Sequence, residues 1–308
     1  MSVRKRVGIA FALVVTATLR LAAFGTAEIS IGDSPALVTG SYDYSAELAL
    51  PEIVTIGVSG GITAPYALGF SEGLSGDFDN RQLSGPAGAL LDYQIFNSTA
   101  ARVILKDLVA SPDASNLLTG TAIIGGTQVN FEVAVLQGQI VPPGSYSDTV
   151  SVLLYEGTNG SDGLKETAIM PISIDVPAFV SVSLAPTGGE FDPMQDAMTL
   201  DFGVLTQGSS RDMDVLVRAN VDYAVDLESA HAGALAITDP GDPSTVPYQL
   251  TVNGATANLA GGAVTVVQDT GPTTLSGNRY QLVFTIGNPG NATSGAYGDE
   301  VTVTVTAQ

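Results

Sequence analysis

The chain has 308 residues, of which 45% are hydrophobic, with 35 glycines, 16 prolines and no cysteine. This length suffices for two ordinary domains, and the composition is that of a folded, turn-rich protein. A net charge of −20 argues against nucleic acid or anionic lipid as a partner, because phosphate binding requires clustered lysine and arginine. The lack of cysteine excludes disulfides and a cysteine-linked lipid anchor.

Residues 1–27 have the pattern of a secretory signal peptide. Basic residues at 4–6 precede an apolar stretch over 7–19, and small residues precede a predicted cleavage after Ala27. The apolar stretch is too short to span a bilayer. The sequence therefore predicts an exported protein whose mature chain begins at Glu28.

Residues 28–176 are predicted to form a first, all-β domain. Apolar and polar residues alternate along short segments, which is typical of strands with one buried face. Glycine and proline turns separate these segments, as at 59–61 and 142–144. The predicted strands are Glu52–Val58, Pro65–Phe70, Leu90–Phe96, Ala101–Leu105, Thr127–Leu136, Tyr146–Tyr155 and Ile169–Val176.

Residues 177–308 are predicted to form a second domain of the same class. Short strands with regular turn signals favour an immunoglobulin-like β-sandwich. The fold class is thus all-β, with two tandem sandwiches. The predicted strands are Phe179–Leu184, Met198–Phe202, Asp212–Ala219, Tyr223–Leu227, Tyr248–Val252, Tyr280–Ile286 and Glu300–Thr306.

One strand signature occurs twice, over 144–154 and over 295–305. Both copies contain Gly-x-Tyr-x-Asp-x-Val-x-Val at the same spacing, which suggests two copies of one domain. After the first copy, Ile169–Val176 could pair beside the signature strand. After the predicted strand that contains the second copy, which ends at Thr306, only Ala307 and Gln308 remain. We therefore expect the second domain to lack its last strand and to need a neighbour from another chain, because a bare valine-rich edge invites aggregation.

Further short motifs occur in a fixed order along both domains. In these motifs the chain resembles the spore coat protein U superfamily, which includes subunits of archaic, Csu-type chaperone–usher pili. One departure is the absence of the cysteine pair that many relatives have. The matching stretches are Tyr66–Gly73, Asn80-Arg81, Gly88–Phe96 and Pro143–Val152, then Leu200–Leu205, Val217–Asn220, Val246–Tyr248 and Ser294–Val303.

The resemblance implies an assembly mechanism. Such pilins lack their final strand, which a periplasmic chaperone supplies first. At the outer-membrane usher, the N-terminal donor strand of the adjacent pilin replaces the chaperone. Domain one would be completed by its own Ile172, Ile174 and Val176. The expected donor-strand groove of domain two consists of Val180, Val182, Leu184, Val301, Val303 and Val305.

The resemblance also favours one place in the fibre. Only Glu28–Leu37 precede the first predicted strand at Val38, which is too short for a donor strand as well. Two-domain members of the family sit at the pilus tip on the cell surface and bind host or abiotic surfaces through apolar loops of the first domain. The expected loops, 46–51, 83–90 and 117–124, offer Leu48, Leu50, Leu83, Pro86, Leu117, Leu118, Ile123 and Ile124.

Catalysis has little support in the sequence. With one histidine, His231, and no cysteine, the chain cannot form a cysteine–histidine pair or a histidine-rich metal site. We expect no cofactor, and His231 is predicted to be a solvated loop residue. Calcium could bind at Asp77–Asn80 or Thr238–Asp242, but neither has EF-hand spacing. Three alternatives stay open: a structural pilus subunit, a freestanding secreted or spore-coat-like binding protein, and a secreted hydrolase.

Overall fold

The computed structural model describes residues 27–33, 36–98, 101–160 and 162–308. These residues form twenty β-strands and three short 3-10 turns, which confirms the predicted all-β class. None of their helical turns is long and apolar enough to cross a membrane. The predicted signal segment lies outside the described residues, except Ala27, which packs against the first core.

The first ten strands belong to one hydrogen-bonded network. Successive side chains of a strand point to opposite faces, so alternate residues enter the core. These strands are β1 (Glu28–Asp33), β2 (Val38–Ser41), β3 (Leu48–Ser59), β4 (Thr63–Phe70), β5 (Arg81–Ser84), β6 (Leu90–Asn97), β7 (Leu118–Ile123), β8 (Thr127–Val135), β9 (Gly144–Glu156) and β10 (Leu164–Val176).

This network folds into two layers, because β5 meets β9 at a single residue pair, Ser84 with Ser147. One layer contains β1, β3, β8, β6 and β5, and the other contains β7, β4, β9, β10 and β2. The core lies between the layers. Phe70 of β4 and Phe131 of β8 are fully buried there, with ring centroids 4.8 Å apart.

The last ten strands build a second sandwich around its own core. One layer has the order β11, β12, β18, β15, β14 and β19, with β16 beside β15, and the other has the order β17, β13 and β20. These strands are β11 (Val180–Ala185), β12 (Ser210–Ala219), β13 (Tyr223–Ser229), β14 (Ala234–Ile237), β15 (Thr245–Val252), β16 (Ala255–Ala257), β17 (Val264–Asp269), β18 (Asn278–Ile286), β19 (Tyr297–Gly298) and β20 (Val301–Ala307).

The two sandwiches repeat the same pairing scheme. The layer β1–β3–β8–β6–β5 corresponds to β11–β12–β18–β15–β14, and β7–β4–β9 corresponds to β17–β13–β20. Even the link between layers is repeated, since Ser84 pairs with Ser147 and Ala236 pairs with Gly298 at the same place in the signature. Among the described strands, β10 and its parallel partner β2 have no counterpart in the second sandwich.

Most predicted strands are confirmed, with ends shifted by a few residues. Two are wrong. Residues 101–105 form only an isolated bridge between Ile104 and Phe96, and residues 198–202 pair in no ladder. The prediction also missed the short strands β1, β5, β7, β14, β16, β17 and β19, because a few residues of weak alternation do not separate a strand from a turn.

The two sandwiches meet at a short connection between β10 and β11. No ladder joins described strands on the two sides of Pro177, and the boundary there stays a prediction that we use to name domain one and domain two. Asn220 holds the connection, because its Oδ1 accepts from Phe179 N at 2.8 Å and its Nδ2 donates to Pro177 O at 2.9 Å. The Phe179 ring stacks on Tyr44 of domain one, with centroids 4.6 Å apart.

Candidate strand-binding groove

The repeated signature forms the same local structure in both domains. The Tyr146 hydroxyl donates to Pro142 O at 2.7 Å, and the Tyr297 hydroxyl donates to Thr293 O at 2.7 Å. Each tyrosine thus reaches back four residues, as in the tyrosine corner of immunoglobulin-like sandwiches. The duplication seen in the sequence therefore extends to individual hydrogen bonds.

The aspartate of each signature accepts a hydrogen bond from a tyrosine of the neighbouring layer. Tyr93 donates to Asp148 Oδ2 at 2.5 Å, and Tyr248 donates to Asp299 Oδ2 at 2.6 Å. Burial, together with the adjacent carboxylate, raises the pKa of both phenols. Both hydroxyls are therefore protonated donors at neutral pH, and each ties the signature strand to the opposite layer.

Asp299 collects additional donors. Ser229 Oγ donates to its Oδ2 at 2.6 Å, and the backbone N–H of His231 donates to its Oδ1 at 3.0 Å. Burial acts to raise the pKa of Asp299, but hydrogen bonds from Ser229, Tyr248 and His231 outweigh it and hold the pKa below its usual value. The site keeps an ionised carboxylate at the start of β20.

His231 lies in an exposed turn, as the sequence predicts, but its ring also has a partner. Its Nδ1 lies 3.0 Å from Asp299 Oδ1, although half of its side chain stays exposed. The nearby serine, histidine and aspartate do not form a catalytic relay, because the Ser229 hydroxyl donates to the carboxylate rather than to the imidazole. This cluster is a polar anchor for the signature strand.

In domain one, β10 fills the space beside the signature strand. It runs antiparallel to β9 along its whole length and parallel to β2 over Ile172–Asp175. Its inward residues Ile172, Ile174 and Val176 are at most 5% exposed. Their placement agrees with the predicted self-completing strand, and β9 is covered on both edges.

In domain two, the corresponding space is an open groove of about 910 Å³. One wall is the segment 198–205, with Leu200 and Phe202, and the other wall is the end of the signature, with Val301 and Val303. Phe284 of β18 contributes to its floor. The groove therefore lies where β10 lies in domain one, and it is predominantly apolar.

The structure places the predicted groove residues along the two edge strands β11 and β20. All six are half-buried and pack against the second core. By contrast, Val150, Val152 and Leu154, the β9 equivalents of Val301, Val303 and Val305, are fully buried. Only Leu184, Val301 and Val303 line the groove itself. The other three, Val180, Val182 and Val305, lie on the same two strands, which contact each other, but outside the groove.

The sequence reasoning missed the opposite wall of the groove. Residues 198–202 are predicted to form a strand of domain two, but they pair in no ladder, and Leu200, Phe202 and Val204 line the groove. Val204 is 88% exposed. The signal was present in the sequence, because Leu200–Val204 occupy the same motif position as Val38–Tyr42, whose first four residues form β2 and pair with β10.

Two of the three expected adhesive loops lie at the wrong end of domain one. Ser84 pairs with Ser147 at the start of β9, and β3 begins at Leu48, so both segments lie toward domain two. Their leucines are structural, since Leu83 is fully buried and Leu48 and Leu50 pack on the core. Pro86 is exposed, but it lies at the same end of the domain. The expectation that Leu48, Leu50 and Leu83 form an exposed binding tip is wrong.

The third expected loop is mostly strand, and only its end lies at the free end of domain one. Leu117 is buried against a small second cluster, and Leu118 packs on the core from β7. Ile123 and Ile124 are 51% and 62% exposed at the turn between β7 and β8. Ile124 N donates to the carbonyl of Ile62, which is 60% exposed and which the sequence reasoning missed.

No group of three or more acidic or histidine side chains converges on a possible metal position within the described part of the chain. In one expected calcium segment, Asp77 accepts from Asn80 Nδ2 at 2.8 Å and from Asp79 N at 2.9 Å. In the other, Asp242 accepts from Ser244 N at 2.8 Å. These carboxylates cap local turns, so their hydrogen bonds have a structural role in both segments.

Taken together, both parts of the chain are β-sandwiches; in the first, β10 lies beside the signature strand, and in the second an open groove lies there. A family model of the Spore Coat Protein U domain matches residues 15–153, which extend from the predicted signal segment into β9. This match confirms the resemblance to the spore coat protein U superfamily for domain one. No curated protein matches the sequence.

Several solved structures are similar over most of the chain at low sequence identity. The complex of chaperone CsuC with tip adhesion subunit CsuE from Csu pili of Acinetobacter baumannii matches at 13% identity and TM-score 0.45, covering 90% of this chain and 99% of that one. The CupB6 tip adhesin of Pseudomonas aeruginosa matches at 11% identity and TM-score 0.35, covering 90% and 92%. CfaE, the adhesive subunit of CFA/I fimbria of enterotoxigenic Escherichia coli, matches at 10% identity and TM-score 0.33, covering 91% and 81%.

Proposed function

We propose that this protein is the tip adhesin of a chaperone–usher pilus. Domain two accepts a donor strand in its groove, and domain one carries the surface that attaches the cell. One observation carries the proposal: every strand of the first pairing scheme recurs in the second except β10 and its parallel partner β2, and a mainly apolar groove lies in the place of β10.

The edge of β20 gives a physical reason for strand addition. β20 pairs with β13 on one side and with no described strand on the other. Its Val301, Val303 and Val305 remain half-buried. A donor strand would satisfy the free backbone groups and cover these side chains, and each buried aliphatic anchor would contribute about 1.5–3 kcal/mol. The same groove would bind a periplasmic chaperone before assembly at the outer-membrane usher.

The tip position is supported by the way β1 is used. A subunit within a fibre must offer a free donor strand to its neighbour. Here Glu28–Asp33 forms β1 and pairs with β3 from Glu28 opposite Ser59 onward. Within the described residues, this segment is part of the domain one sheet and is not free to donate. A subunit that accepts but does not donate belongs at the distal end.

The adhesive surface that we propose is the free end of domain one, opposite the domain connection. Leu164 pairs with Tyr155 and Thr63 pairs with Ile123, so these strand ends meet at the pole away from Val176. The exposed isoleucines at positions 62, 123 and 124 form an apolar tip there. Apolar tips of this kind suit host or abiotic surfaces, without catalysis or a cofactor.

Calorimetry of the chain from Glu28 onward tests the groove. We expect two thermal transitions, with the lower one, from domain two, rising when peptides from the N-terminal extensions of pilins are added. Val303→Asp places a charge in the groove and should abolish the rise. The control Thr304→Asp, one residue along and pointing outward, should preserve it. A lower transition that no peptide moves would overturn the proposal and favour a freestanding binding protein.

A further inference from the structure

We propose that the groove of domain two selects a donor strand by the side-chain pattern of the chain's own β10, in one direction and one register. The inference rests on the proposed function and adds the chemistry of the partner. The donor would be a nine-residue core, antiparallel to β20, with inward residues of the sizes alanine, methionine, isoleucine, isoleucine and valine. Domain one is the template, because it holds such a strand in the equivalent position.

The register follows from the duplicated signature. In domain one, the inward residues of β10 lie opposite every second residue of the β9 signature. Each of these signature residues has an equivalent in domain two. Ala168 lies opposite Val152, Met170 opposite Val150, Ile172 opposite Asp148, Ile174 opposite Tyr146 and Val176 opposite Gly144. The corresponding positions of domain two are Val303, Val301, Asp299, Tyr297 and Gly295.

The extent of the groove agrees with this register. On the signature side it is lined by residues from Gly295 to Val303. This is the span that Ala168–Val176 would cover. Val180, Val182 and Val305 do not line the groove, although β11 and β20 are in contact, so we place its closed end beyond Val303. The donor core therefore needs a small residue at the closed end and larger aliphatic residues toward the open end.

The tyrosine corner defines the open end. In domain one, Tyr146 is fully buried opposite Ile174. In domain two, Tyr297 makes the same corner hydrogen bond but remains half-exposed. An isoleucine-sized residue in the donor would cover the Tyr297 ring. This position should contribute strongly to selection, because a large aromatic surface is buried with it.

The opposite wall should become ordered as a strand when the donor binds. In domain one, β2 pairs in parallel with Ile172–Asp175 of β10. In domain two, the equivalent residues 200–203 form no ladder. A donor in the proposed register would have a parallel partner in this segment and an antiparallel partner in β20, so both of its edges would be paired.

A peptide of residues 166–176 tests the inference on the chain from Glu28 onward. Domain one already holds β10, so the peptide has only the groove of domain two to enter. By fluorescence anisotropy we expect binding that weakens tenfold or more with Ile172→Asp or Ile174→Asp in the peptide. The matched control, Ile169→Asp, changes an outward residue that is 53% exposed in β10 and should leave affinity within about twofold.

Photo-crosslinking fixes direction and register. A diazirine side chain at peptide position 174 should label the protein near Tyr297, and one at position 170 should label it near Val301. Labels in the reverse order, or displaced along β20, would overturn the inference. If pilin-derived peptides bind but the β10 peptide does not, the template is wrong while the groove remains an acceptor. If no peptide binds, the proposed function fails as well.

Discussion

At the scale of single residues, Asp299 shows how the repeated signature is anchored. It accepts hydrogen bonds from Ser229, Tyr248 and the backbone of His231, and its side chain is 2% exposed. The equivalent Asp148 is likewise bonded to a buried tyrosine. The pattern Gly-x-Tyr-x-Asp is therefore explained by two contacts in each domain, one made by the tyrosine within its own turn and one made by the aspartate with the opposite layer.

This anchor predicts an acid sensitivity of domain two. The pKa of Asp299 is lowered in the folded state, so its contribution to stability is present above the unfolded pKa of about 3.9 and is lost as the pH falls through the folded value. Asp299→Asn should remove this part of the pH dependence. Tyr248→Phe should cost about 1–3 kcal/mol at pH 7, because a buried carboxylate loses a donor.

Denaturant unfolding between pH 2 and pH 7 measures both effects on the transition of domain two. His231→Gln serves as the control, because the backbone N–H of residue 231 still donates to Asp299 and only the half-exposed ring is lost. A domain two transition with the same acid dependence in wild type and Asp299→Asn would contradict this account.

At the scale of elements, the sequence predicted the strands with strong alternation. It missed short strands that can be recognised only from the strand with which they pair. β9, β18 and β20 were recognisable because mostly apolar residues recur at every second position. Residues 198–202 show a similar alternation but form no ladder, since the strand that would pair with them is β10's missing counterpart. Local alternation of residues favours an extended conformation, but a β-ladder forms only where an adjacent strand supplies the hydrogen-bond partners.

Only part of the candidate site could be predicted, because one of its two walls can likewise be recognised only from a strand pairing. The signature identified β20 as one wall of the groove, but the other wall required the pairing of β2 with β10 to be seen. The buried Arg81 is a further example. Its family motif was recognised, yet only the fold shows its guanidinium donating to Gln94 Oε1 and to the carbonyls of Phe70 and Leu105. The local sequence pattern also could not show whether the leucines of the expected adhesive loops are exposed or buried.

The turn between β7 and β8 carries the prediction for adhesion. Replacing Ile123 and Ile124 together with serine removes two exposed aliphatic side chains without disturbing the core. We expect attachment of piliated cells to polystyrene to fall at least about fivefold, since apolar contact area is lost. Ile169→Ser is the control, because Ile169 is 53% exposed on the flank of β10 away from the turn. Equal losses in both variants would contradict an adhesive tip.

At the scale of the whole molecule, the groove and the proposed adhesive tip lie in different domains, so in the proposed function a load between them would pass through the connection. β10 leads into β11 with only Pro177, Ala178 and Phe179 between them. Asn220 fixes this segment by hydrogen bonds, and Arg218 lies over the ring of Phe191 at 4.0 Å and that of Tyr44 at 5.9 Å. We expect these contacts to restrict movement of the two domains relative to each other.

Removing the aromatic stack should loosen this joint without unfolding either domain. The stacked pair Tyr44 and Phe179 should contribute about 0.5–1.5 kcal/mol beyond its buried area. Tyr44→Ala is therefore expected to broaden the distribution of interdomain angles, while Tyr44→Phe, which keeps the ring, should not. Residual dipolar couplings measure this directly: the two domains should share one alignment tensor in wild type and in Tyr44→Phe, and lose it in Tyr44→Ala. Separate tensors already in wild type would show that the stack does not hold the domains, and that the fibre meets a flexible rather than a stiff adhesin.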